Sequence, residues 1–107
     1  MPDIQFFDAT GFVNQKINEV EQNLIAKKAE LEILYANRRN LDSTIATLGL
    51  LPAEHQRAIQ TELASLKEVL NATERAIGAL EGEVEVLSNK LAALQAARRL
   101  IQVKESP

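Results

Sequence analysis

The chain has no cysteine and no tryptophan, one histidine, three prolines, and only three phenylalanines and one tyrosine. Without cysteine, disulfides, thiol chemistry and cysteine-based zinc sites are excluded. A single histidine, His55, with no second histidine near it in sequence, gives no metal-ligand spacing. The scarcity of aromatics argues against a mixed globular core, because Phe, Tyr and Trp usually dominate such cores. No run approaches the eighteen or so apolar residues that a membrane span needs. The opening residues, Met-Pro-Asp-Ile-Gln-Phe-Phe-Asp, lack the basic stretch and apolar core of a secretion signal, so a cytoplasmic location is expected. The net charge of −3 supplies no general attraction toward nucleic acid or an anionic membrane. Gly-x-Ser-x-Gly, Gly-x-Gly-x-x-Gly and P-loop patterns are all missing. No enzyme, cofactor or metal is expected.

What is present is a heptad repeat. From Ile59 to Ile101 apolar residues alternate in steps of four and three, and among thirteen such positions only Thr73 and Arg98 are not apolar. With Leu63 as an a position and Leu66 as a d position, this spacing commits one seam of a long helix to a partner helix. A matching series runs through Val13, Ile17, Val20, Leu24, Lys27, Leu31, Leu34, Arg38, Leu41, Ile45 and Leu48, where the two exceptions are long cations. The fold class predicted is all-α: an antiparallel two-helix coiled-coil hairpin that oligomerises into a bundle of four or more helices.

One domain covering residues 1–107 is expected, made of an arm over 1–11, a helix over 12–48, a turn over 49–52, a helix over 53–103 and a tail over 104–107. Asp8 or Thr10 can cap the first helix. In the turn, Gly49 suits a left-handed C′ position, with Leu50 folding back onto Ile45 in a Schellman-type stop. Pro52 can open the second helix but cannot continue the first. In an antiparallel pair a faces d′, and pairing that centres on Pro52 makes facing residue numbers sum to 104. Ile45 then meets Ile59, Leu41 meets Leu63 and Val20 meets Val84. The same rule sets Lys27 against Ile77, Leu31 against Thr73 and Arg38 against Leu66.

These polar breaks admit two readings. Lys27 and Arg38 can snorkel, with stems over the seam and heads in water, while fixing register and oligomer state. Alternatively Lys27, Lys28, Arg38 and Arg39, with Tyr35 and Thr73, surround an anionic, nucleotide-like ligand.

A second face of the later helix is more informative. Val69, Ala72, Ala76, Ala79, Val86, Ala93, Ala97 and Leu100 form a second apolar stripe, with Gly78 and Gly82 beside it. A two-stranded hairpin needs no second seam, and small residues let another helix approach closely. These positions are the predicted oligomer interface. The early helix carries a weaker outer line of Ile25, Ala29, Ile33 and Ala36. Near the N-terminus, Ile4, Phe6, Phe7 and Phe12 either fold over the end of the bundle or anchor a partner, since aromatics concentrate binding energy.

Known hairpin families differ at their diagnostic residues. The turn reads Leu-Gly-Leu-Leu-Pro instead of the Trp-x-Gly of the small secreted WXG type. Factors that enter the RNA polymerase secondary channel carry acidic tips, and prefoldin-type subunits insert strands that have no room here. The function expected is therefore non-enzymatic: an oligomeric scaffold, adaptor, assembly chaperone or inhibitor that binds another protein. Sequestration of a small anionic ligand is the alternative, and neither nucleic acid nor membrane is an expected partner.

Overall fold

The computed structural model describes residues 8–105. The described residues contain three helices and no strand: α1 over Ala9–Leu48, α2 over Ala53–Ala58 and α3 over Gln60–Glu105. The chain divides into two compact units, to both of which α1 and α3 contribute. One combines the chain up to Lys27 with the chain from Glu83 onward, and the other spans Lys28–Gly82.

Every a and d position of the heptad series is buried or half-buried, and few other described residues are. Val13, Ile17, Val20, Leu24, Leu31 and Ile77 are the most deeply covered. The seam is thus the core of each unit, as knobs-into-holes packing of a 3.5-residue repeat requires.

Register differs from the sequence expectation. In the unit holding the chain's two ends, the Arg98 guanidinium donates to Asn14 Oδ1 at 3.3 Å, and the Lys27 ammonium lies 3.3 Å from Glu83 Oε2. Those residue numbers sum to 112 and 110, and their opposite trends show antiparallel helices. In the other unit a surface groove is lined from both sides by Asn37, Asn40, Leu41 and Thr44 and by Val69 and Thr73, again with facing sums near 111. The seam is therefore offset by one heptad from the rule centred on Pro52. A shift of seven residues still sets every a position against a d′ position, so periodicity cannot tell the two apart. In the observed register Leu34 faces Ile77, Leu41 faces Leu70, and Arg38 comes level with Thr73.

The turn accounts for the offset. Gly49 does not take a left-handed conformation; no described residue has a positive φ. The Gly49 N–H still bonds back to Ile45 at 3.0 Å, and the chain then tightens through Leu50 to Thr47 at 3.1 Å and Leu51 to Leu48 at 3.2 Å. Pro52, which has no N–H and disfavours helix in the residue before it, ends this run. Leu50 does not fold back but stands 86% exposed. The connection then uses its next residues for α2, whose first free N–H groups, from His55 and Gln56, bond to the Pro52 carbonyl at 3.0 and 3.1 Å. The Gln56 amide donates to the carbonyls of Gly49 (3.0 Å) and Leu51 (2.7 Å), satisfying groups that the end of α1 leaves without partners.

The second helix is interrupted at Ile59, with φ −108° and ψ 15°. Its own backbone groups stay bonded, the Ile59 N–H to the His55 carbonyl at 3.2 Å and the Leu63 N–H to the Ile59 carbonyl at 2.8 Å. The first helix starts at Ala9, earlier than Phe12, because Asp8 caps it: Asp8 Oδ1 accepts from the Gly11 N–H at 2.9 Å. A Cβ at Gly11 would collide with that carboxylate, so glycine leaves room for the cap. α3 continues to Glu105, two residues beyond the expected end.

Candidate functional site

In the unit of residues 28–82, the stripe residues Val69, Ala72, Ala76, Gly78, Ala79 and Gly82 are all exposed. In the other unit Val86, Ala93 and Leu100 are exposed and Ala97 is half-buried. The larger side chains decide how unusual this is. Val69 is 51%, Val86 65% and Leu100 67% exposed, although each sits on a well-formed helix. Isolated apolar residues on a surface are ordinary, whereas a helical line of them is a candidate contact.

Gly78 and Gly82 sharpen this reading. A Cβ built on either would meet nothing within 4 Å. No packing among the described residues therefore calls for glycine there, yet each glycine costs a helix interior about 1 kcal/mol relative to alanine. On α1, Ile25 and Ile33 of the outer line are also well exposed.

The proposed anion ligands have contacts of their own. Lys27 is half-buried on the seam and its ammonium is paired with Glu83. The hydroxyl of Tyr35 donates to Glu81 Oε2 at 2.7 Å. That bond to the carboxylate, helped by partial desolvation and the charge of Glu81, pushes the phenol pKa above its ordinary value. The Arg38 guanidinium lies 5.4 Å from the centre of the Tyr35 ring, within cation–π range. Lys28 and Arg39 are exposed. Thr73 turns its hydroxyl back to the Val69 carbonyl at 2.8 Å, as helical threonines do. The groove beside Thr73 is lined by amides, hydroxyls, a leucine and a valine; none of the proposed cations lines it.

Ile4, Phe6 and Phe7 of the expected anchor lie outside the described residues. Phe12 stands on the first turns of α1, with the Lys16 ammonium 5.5 Å from its ring centre. Sequence reading missed the polar contacts that flank the seam: Tyr35 with Glu81, Lys27 with Glu83, and Asn14 with Arg98. Opposite or complementary groups were visible at these positions, but which ones meet depends on the register. No family model matches the chain, and neither a curated protein nor a solved structure matches it.

Proposed function

We propose that this protein is a cytoplasmic, non-enzymatic binding module that self-associates through the outer stripe of α3 and acts on another protein as scaffold, adaptor, assembly chaperone or inhibitor. The observation that carries this reading is the pair Gly78 and Gly82, with no other described residue near enough to need them small, on the same unit as exposed Val69. Glycine there weakens the helix and serves no contact among the described residues, so its use lies in the close approach of a second helix. A second copy is the occupant, since it presents the same small-residue face and burying both faces removes apolar surface from water.

Anion sequestration has weaker support. Glu83 already pairs with Lys27, and Glu81 engages the Tyr35 hydroxyl, so two of the six proposed ligands hold carboxylates. A thermal-shift screen with ATP, GTP and inorganic phosphate, run beside size-exclusion chromatography, separates the readings. Unchanged melting with every anion and elution as an oligomer are expected. A large shift with one anion and elution as a monomer would replace the binding-module reading with sequestration.

A further inference from the structure

Three features combine in the unit of residues 28–82. First, its seam repeats every seven residues on both helices, so sliding α3 by one heptad again sets apolar a positions against apolar d′ positions. Second, α2 and α3 meet at a single non-helical residue, Ile59, whose own N–H and carbonyl are already bonded to His55 and Leu63, so joining the two as one straight helix requires only that residue to change and the bonds that span it to form. Ile59 itself is half-buried and in phase with the seam. Third, the contacts that distinguish the observed register are polar and lie at its edges: Tyr35 to Glu81 here, and Lys27 to Glu83 in the other unit.

We propose that the α1–α3 pairing is a two-register element, held in the observed register by Tyr35–Glu81 and the shared Arg38/Thr73 layer in this unit and by Lys27–Glu83 and Asn14–Arg98 in the other, with a second register one heptad away. In the observed register the two non-apolar seam residues occupy one layer. After a slip they separate, Arg38 facing Leu66 and Thr73 facing Leu31, so two apolar layers are spoiled where one was. This difference favours the observed register, while the intact apolar repeat keeps the other within reach. The slip moves α3 along α1 by about 10 Å and draws Ile59 and Gln56 into the seam. It also releases the Gln56 amide from Gly49 and Leu51 and remakes the tip, where Leu50 is the most exposed large apolar side chain among the described residues. A partner that grips the tip therefore selects a register, whether or not copies associate.

Because the chain has no cysteine, introduced pairs report register directly. Thr44 and Val69 line the same groove, so Thr44→Cys with Val69→Cys reports the observed register. Glu62 lies one heptad before Val69, so Thr44→Cys with Glu62→Cys reports the slipped one. Disulfides need Cα atoms within about 7 Å, so a displacement of about 10 Å separates the two pairs cleanly. Full-length protein is oxidised mildly, and cross-links within a chain are separated from those between chains on a denaturing gel. In the parent background the 44–69 pair should dominate. Adding Tyr35→Phe, Arg38→Leu and Glu83→Gln, which weakens the lock in both units while filling the seam, should raise the 44–62 product severalfold at the expense of 44–69. Helical content measured by circular dichroism should be retained. Tyr35→Phe alone, a nearly isosteric change, should move the ratio in the same direction. Exclusive 44–69 cross-linking in the folded lock variants would overturn the proposal.

Discussion

The hydroxyl of Tyr35 donates to Glu81 Oε2 at 2.7 Å across a sequence separation of 46 residues, joining α1 to α3 outside their apolar seam. This contact ties a titratable group to the register of the helices. Tyr35 is the only tyrosine and there is no tryptophan, so phenolate absorbance reports on it alone.

The phenol should therefore ionise above pH 10.0 in the folded protein, and Glu81→Gln should bring its titration back toward that value. The folded pKa is raised over the unfolded one. The stabilisation is thus fully present below the unfolded pKa and is lost as pH rises through the folded pKa. Tyr35→Phe should abolish this alkaline loss. A phenolate transition at the ordinary pH, unaffected by Glu81→Gln, would contradict the contact.

Core and surface isoleucines should separate sharply. Ile77 is 3% exposed and Ile33 is 62% exposed. Ile77→Ala should destabilise by about 2–4 kcal/mol in chemical denaturation, while Ile33→Ala should stay within about 0.5 kcal/mol. Similar losses at both positions would mean that α1's outer face is also covered.

At the turn, Gln56 bridges two carbonyls that otherwise have no helical partner. Gln56→Ala should cost about 1 kcal/mol of stability and speed amide exchange around residues 49–56. An unchanged denaturation midpoint and exchange pattern would show that water replaces the bridge without penalty.

Arg38 and Thr73 share a layer that apolar side chains can fill. Arg38→Leu with Thr73→Val should raise stability by about 1 kcal/mol, since replacing polar groups at a seam with packed apolar ones is commonly stabilising. Denaturant midpoints measure this. A clear loss of stability would show that Arg38 is paired with a carboxylate of another chain.

The sequence reveals the seam almost residue by residue, because burial of an a/d stripe is dictated by helical periodicity. The cap at Asp8 was one of two candidates, and Gly11 decides it by leaving room for that carboxylate. Register was not legible. The number of residues spent in the connection fixes it, and α2 absorbs one heptad that the seam pattern alone would have assigned to pairing. Gly49 pointed to a left-handed stop; the Pro52 restriction ends α1 through tightened turns instead. The outer stripe was readable for the same reason as the seam, whereas the openness around Gly78 and Gly82 required neighbouring atoms to be placed.

Self-association through α3 is tested most directly by sedimentation velocity of the parent chain at micromolar concentration beside Gly78→Ala/Gly82→Ala. The parent should sediment as a dimer or larger species. The double variant should be more stable within each chain, by about 1 kcal/mol per site, yet shift toward the monomer because the new methyl groups block close approach. A folded parent that sediments as a monomer would contradict the account.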